Sequence, residues 1–220
     1  YRIGRRIRHL DWPGPGATCM TKRDATELFS EWALRDRDLG MESGHAASVG
    51  EMLSMALSRM EGPFSAIDVG CGNGWVCRAL EDNEDCEVAI GVDGSEEMIR
   101  KARERGDGEF HYARLPGWAP SRRFDLVHSM EFLYYLVDPV AMLAEIQENW
   151  MEPGGILVAG VDHYLENEDS LDWPGSLNVH MSTLSQEEWR QGMTDAGFID
   201  VETSRVGLRD GFVGTLALFG

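Results

Sequence analysis

The sequence predicts an α/β protein with a doubly wound, mostly parallel sheet of Rossmann-like type. Three observations predict it. Short, continuously apolar runs alternate with segments of helical spacing, the pattern of strands buried on both faces beneath crossover helices. The first such run enters the glycine-rich turn Asp68-Val69-Gly70-Cys71-Gly72-Asn73-Gly74, directly followed by a helical stretch. The second run ends on an acid, Asp93, 19 residues beyond Gly74. In a strand–turn–helix unit, glycines let the backbone approach a ligand, and an acid at the end of the next strand accepts ribose hydroxyls.

The elements follow in order. Residues 1–22, with Pro13, Pro15 and three glycines, read as an irregular arm, and residues 23–220 as one domain. Asp24 precedes a helix over 25–34, with Leu28, Phe29 and Trp32 on one face and Gly40 as its stop. Ser43 is expected to cap a second helix, whose stripe Val49, Met52, Leu53, Ala56, Leu57 and Met60 reads as core. Gly62-Pro63 ends it. Strands are expected at 64–69, 88–93, 109–113, 124–130 and 156–161. The intervening helices fall at 75–80, 95–105 and 140–150, and Pro153-Gly154-Gly155 turns the chain. Residues 165–182, polar and centred on Trp173-Pro174-Gly175, interrupt the alternation and read as a cap over the strand ends. A helix at 185–196, stopped by Gly197, precedes strands at 198–206 and 212–219, an antiparallel pair at the sheet edge.

Composition narrows the function. Acidic residues number 38 against 20 basic, a net charge of −18, and 43% of residues are hydrophobic. That supports a packed core and disfavours a nucleic-acid binder, which needs a basic surface for phosphate contacts. Arg2, Arg5, Arg6 and Arg8 concentrate positive charge in the arm, read as a solvated tail or a contact to an anionic partner. No run approaches the length of a membrane span, and no signal-peptide pattern is present. Cys19, Cys71, Cys77 and Cys86 form no C-x-x-C pair and no zinc pattern, so no metal is expected. The expectation is a reduced, cytoplasmic protein.

The glycine turn alone also fits dinucleotide enzymes. Their glycines, however, are spaced G-x-G-x-x-G to admit a pyrophosphate at a helix N-terminus. Here Asp68 precedes G-x-G-x-G. It repels a pyrophosphate and suits an ammonium, directly or through water, which favours an amino-acid-bearing nucleoside.

Together, Ala66-Ile67-Asp68-Val69-Gly70-Cys71-Gly72-Asn73-Gly74, Gly91-Val92-Asp93-Gly94-Ser95-Glu96-Glu97-Met98, Phe124-Asp125-Leu126-Val127 and Glu152-Pro153-Gly154-Gly155 resemble the ordered motifs of class I S-adenosylmethionine-dependent methyltransferases. The resemblance covers roughly residues 45–220. It implies a seven-stranded sheet with the last strand antiparallel, and S-adenosylmethionine as cofactor with S-adenosylhomocysteine as product. Cofactor contacts are then expected from Asp68, Gly70, Cys71, Gly72, Asn73, Gly74, Asp93, Gly94, Met98 and Ser129. One departure stands out: Phe110-His111-Tyr112-Ala113-Arg114-Leu115-Pro116 lacks the acid that relatives place near the adenine amino group. Tyr112 or Trp118 is the expected substitute.

Methyl transfer needs alignment and a dry site, and a base only where the nucleophile carries a proton. Ligands of open α/β sheets bind at the carboxyl ends of the strands. There Ser129, Met130 and Glu131 follow the fourth strand, with Tyr134 and Tyr135 one turn on, while Asp162, His163 and Tyr164 follow the fifth. His163, Glu131 and His45 are the catalytic candidates. Glu131 suits a cationic acceptor or the capping of a helix, and His45 sits beside the permissive Gly44. His128, inside a strand, reads as a satisfied core residue. Trp173 and His180 are placed to roof the pocket, and Trp32 and Arg37 to close it from the N-terminal helices. The leading expectation is transfer to an oxygen, nitrogen or sulfur of a small molecule. Two alternatives stay open: an RNA or protein methyltransferase with an activator subunit, or a non-catalytic cofactor-binding regulator. A homodimer is a further expected partner.

Overall fold

A computed structural model describes residues 22–220. The arginine cluster of the arm and Cys19 lie outside the described residues. The seven strands are β1 (Phe64–Val69), β2 (Cys86–Asp93), β3 (Glu109–Tyr112), β4 (Phe124–Met130), β5 (Met151–Val161), β6 (Glu202–Val206) and β7 (Thr215–Phe219). They form one sheet in the order β3-β2-β1-β4-β5-β7-β6. β1 to β5 are mutually parallel, and β7 runs antiparallel to both β5 and β6. From β1 the chain works outward to β3 and then returns to β4. The switch point lies between β1 and β4, where open sheets of this kind bind ligands.

Alternation along the strands sends side chains to two cores. Ile67, Val69, Val127 and Leu157 join one, together with Leu28 of α1 (Ala25–Leu34), Leu143 of α5 (Pro139–Glu145) and Trp189 of α7 (Gln186–Asp195). Ala66, Leu126 and Val158 join the other, with Met52 of α2 (Asp38–Leu57), Val76 of α3 (Trp75–Glu81) and Ile99 of α4 (Glu96–Arg105). Both faces are therefore covered, which is why the strands read as unbroken apolar runs.

The N-terminal helices depart from the sequence reading. α1 ends at Leu34, and α2 starts at Asp38, so Gly40 lies in the first turn of α2 rather than after a helix. Ser43 is also helical and donates to the Gly40 carbonyl at 3.2 Å instead of capping. The α2 N-terminus is tied down by tertiary contacts: Lys101 Nζ and Arg105 meet the Asp38 carboxylate at 2.6 and 3.0 Å. A buried ion pair of that geometry starts a helix that local caps do not announce.

Two further differences are local. After α5 the chain loosens into a π turn over Ile146–Trp150. The turn expected at 153–155 is an irregularity inside β5, where the register jumps from Phe124↔Met151 to Leu126↔Ile156. The cap carries the four-residue α6 (Trp173–Ser176) and meets the start of α1, where Arg23 N donates to Asn178 O at 2.7 Å. No described helix is long and apolar enough to cross a membrane.

Candidate functional site

The glycine turn is shaped by its backbone. Gly70, Gly72 and Gly74 have φ of 80°, 52° and 76°, the left-handed region that side chains disfavour. At Gly70 crowding adds to this, since a Cβ would stand 2.6 Å from the Phe132 Cβ. Asp93 completes the turn. Its carboxylate accepts from Gly72 N at 2.9 Å and Ser95 N at 2.7 Å, binding the loop to the start of α4. Burial pushes this carboxyl up to about 6, against the pull of those two N–H groups. Each carboxylate oxygen keeps a lone pair for a further donor.

A cavity of about 330 Å³, within the range of small-molecule sites, opens over these residues. Gly70, Gly72, Asp93, Gly94 and Met98 line one end. The wall comes from α1, through Asp24, Thr26 and Phe29, from Met41 of α2, and from Arg114 and Leu115 after β3. A Cβ on Gly94 would stand 2.6 Å from Thr26 Cγ2, so only a glycine lets α1 sit this close. Ser30 and Ser95 share a hydroxyl hydrogen bond of 2.8 Å, fastening α1 to the N-cap of α4.

The other end lies beyond β4 and β5. Glu131 lines it, with Met130, Phe132, Tyr135, Leu136 and His180. Glu131 has φ of 58°, a strained conformation for a residue with a side chain, and such strain is concentrated at functional sites. The carboxylate is oriented by Tyr134 Oη at 2.7 Å and Asp162 N at 2.5 Å. One polar atom each of His45, Glu131 and Asp162 lies within 4.8 Å of the others, and His45 Nε2 stands 3.6 Å from Asp162 Oδ2. Burial, and then the Asp162 charge, push the Glu131 carboxyl up to about 8, opposed by His45 and Tyr134. At His45 burial works against the charged ring, yet the Asp162 hydrogen bond and the Glu131 and Asp162 charges outweigh it and raise its pKa. The cluster brings two carboxylates and one imidazole together in a desolvated setting.

Of the predicted catalytic residues, the structure thus brings Glu131 and His45 together and adds Asp162. His163 is elsewhere engaged. It is fully buried, with Nδ1 on the Ser170 carbonyl at 3.0 Å and Nε2 on Thr183 Oγ1 at 2.7 Å. Burial lowers its pKa, and the Trp173 ring stacks at 6.2 Å, so both hold the cap against the sheet. His180 does line the cavity, whereas Trp32 and Arg37 pack on each other at 6.0 Å outside it.

Several expected cofactor residues stand behind the turn. Asp68 is buried and pairs with His128 Nδ1 at 2.7 Å; among the described residues His128 Nε2 has no partner, so this histidine is only half satisfied by them. Asn73 points away, donating to Asp38 at 2.9 Å, and Ser129 donates to the Val69 carbonyl at 2.9 Å. Cys71 is buried, and desolvation first of all raises its thiol well above the usual range, which leaves it unreactive. Tyr112 is exposed and Trp118 packs on His111 and Trp150; Arg114 and Leu115 line the cavity instead. Sequence reasoning missed Asp24, Phe29, Met41 and Arg114 as wall residues. Asp24 and Phe29 carried only a cap and a core signal, and nothing local distinguishes Arg114, which pairs with Asp24 across the cavity mouth.

The family described as "Methyltransferase domain" matches residues 23–203. Among curated relatives, trans-aconitate 2-methyltransferase of Azoarcus is 33% identical, over 66% of this chain and 68% of its own. That of Acidovorax is 30% identical, over 70% of this chain and 57% of its own. The chain spans about half the length of the first curated relatives it matches. A chain of the solved complex between the Haloferax volcanii Trm112 methyltransferase activator and a methyltransferase is 29% identical, covering 90% of this chain and 97% of that one, with a TM-score of 0.76. The DhpI–SAH complex, 19% identical with a TM-score of 0.65, covers 88% and 93% and shares the fold.

Proposed function

The chain belongs to the class I S-adenosylmethionine-dependent methyltransferase family, and from that premise we propose that it methylates an oxygen, nitrogen or sulfur of a small molecule seated against Glu131. The cofactor supplies a methyl group on a sulfonium. The residues at hand fit such a cofactor: positive-φ glycines without Cβ atoms face the cavity, and Asp93 keeps acceptor capacity for a ribose.

The observation that carries the proposal is the cavity's two-ended build, with the glycine turn and Asp93 at one end and Glu131 at the other. Gly70 and Gly72 leave room for the backbone to lie along the donor. Asp93 holds its nucleoside part. α1 and the cap exclude water, which strengthens every charge inside. Glu131, pushed up to about 8, is a stronger base than an exposed carboxylate and takes the acceptor's proton. His45 and Asp162 hold that proton's charge.

Calorimetry tests the reading. S-adenosylmethionine is expected to bind at one site, with binding lost in Gly72→Arg and weakened in Asp93→Ala. Release of S-adenosylhomocysteine over an acceptor panel that includes trans-aconitate then reports turnover. Unchanged binding in both variants would sink the proposal. A regulator without turnover would bind and release nothing.

A second reading has its own support. The 29% identical neighbour is solved with an activator protein, and we propose that this chain works with an activator subunit of that kind. Co-expression that raises solubility and yields co-elution supports it; independent elution with full activity of the lone chain refutes it.

A further inference from the structure

We propose that the acceptor is an amine carried on an apolar or aromatic frame, bound as an ammonium between Glu131 and the aromatic wall. This rests on the methyltransferase reading and deepens it by naming the acceptor's class.

Three observations point the same way. First, Glu131 lines the acceptor end and is backed by a second carboxylate, Asp162, and one imidazole, His45, neither of which lines the cavity. Asp162 is buried and its Oδ1 has no hydrogen-bond partner among the described residues. Buried polar atoms without partners are rare, and the carboxylate pair as a whole calls for donors. An ammonium brings three such donors and the charge that lets Glu131 ionise in a desolvated site. Glu131 itself lies on the cavity wall, so its carboxylate is reachable.

Second, the cations lining the cavity among the described residues are already engaged. Arg114 pairs with Asp24, and Arg23 meets Glu31 at 2.6 Å. An anionic acceptor would share these guanidinium groups with the acids they already pair with, and would lie beside Glu131. On this proposal the acceptor differs in charge from trans-aconitate, for which the curated relatives are named.

Third, the remaining walls are apolar or aromatic: Phe29, Met130, Phe132, Tyr135 and Leu136. Aromatic faces attract cations, and methionine adapts to irregular apolar shapes.

The transfer balances. The ammonium gives one proton to the Glu131 carboxylate and regains its lone pair. That pair forms the new N–C bond to the methyl carbon, and the S–C bonding pair stays with sulfur. A methylated ammonium forms when the amine is methylated, and neutral S-adenosylhomocysteine leaves with it.

The experiment uses the full chain saturated with S-adenosylhomocysteine, titrated with three probes on one frame: phenethylamine, phenethyl alcohol and hydrocinnamate. Trans-aconitate is the fourth. The amine is expected to bind at least about tenfold more tightly than the alcohol, and the two carboxylates more weakly still. Glu131→Gln is expected to remove most of the amine's advantage while S-adenosylhomocysteine still binds. Tighter binding of hydrocinnamate or trans-aconitate than of the amine overturns the proposal, as does no binding of the amine by protein that holds S-adenosylhomocysteine. If Glu131→Gln does not fold, the ranking of the four probes on the unmodified chain decides. Failure to bind S-adenosylhomocysteine at all instead defeats the methyltransferase reading.

Discussion

The two ends of the cavity are built by different means. The end over β1 and β2 is a backbone construction: three positive-φ glycines, N–H groups on Asp93, and close approach of α1 to Gly94. The end over β4 and β5 is a side-chain construction, in which His45 from α2, Glu131 after β4 and Asp162 after β5 converge. The first end depends on conformations that few residue types adopt. The second depends on electrostatics among groups far apart in the chain. A change at the first should therefore abolish ligand binding, and a change at the second should alter rate and pH dependence with cofactor binding preserved.

The largest expected effect is at the backbone end. Gly70→Val places a Cβ where φ is 80° and Phe132 is 2.6 Å away. A loss of about 2–4 kcal/mol in stability is expected from strain and crowding together. Calorimetry should find no S-adenosylmethionine binding; wild-type affinity would break the contrast.

Next comes Glu131→Gln, with an expected fall in kcat of roughly 10²–10⁴ and cofactor affinity within about threefold. Its pH signature is specific. The carboxyl is raised from 4.5 to about 8 in the fold. Below about 4.5 it is protonated whether folded or unfolded, so the stabilisation is complete there. As pH rises toward about 8 the unfolded chain ionises first, and that stabilisation is lost. Thermal melts of the ligand-free protein should fall across this window, and Glu131→Gln should flatten the fall. The rise of kcat/KM toward pH 8 should vanish in the same variant.

His163→Ala sharpens the comparison from the side of the cap. Removing both hydrogen bonds leaves Ser170 O and Thr183 Oγ1 without their partner, an expected cost of about 1–3 kcal/mol. If His163 only holds the cap, KM for the acceptor rises while the pH profile keeps its shape; a lost pH limb would make it catalytic instead.

The smallest effect is expected at the seam. Asp24 caps α1 through Thr26 N at 2.9 Å and pairs with Arg114. Asp24→Ala should cost about 1 kcal/mol by urea unfolding and weaken the cofactor only a few-fold.

The sheet and the cofactor end were largely legible, because their signals are local. β1 and β4 fall on the residues their apolar runs predict, and the glycine turn joins the strand and helix it implies. α2 was misplaced because its start is held by Lys101 and Arg105, more than sixty residues away. His163 and Glu131 looked alike in sequence, each just after a strand. Packing separated them: one side chain turns into the cap and the other into the cavity.

By itself the sequence determined the fold class and the donor end, including the glycine turn and Asp93. These follow from periodicity and from backbone conformations that only certain residues allow, within a few positions of one another. The tertiary structure alone decided that His45 and Asp162 flank Glu131, that Arg114 closes on Asp24, and that Asp68 turns to His128. Each of these pairings spans from 31 to 90 residues of chain, and no local pattern encodes which distant charges share one desolvated site.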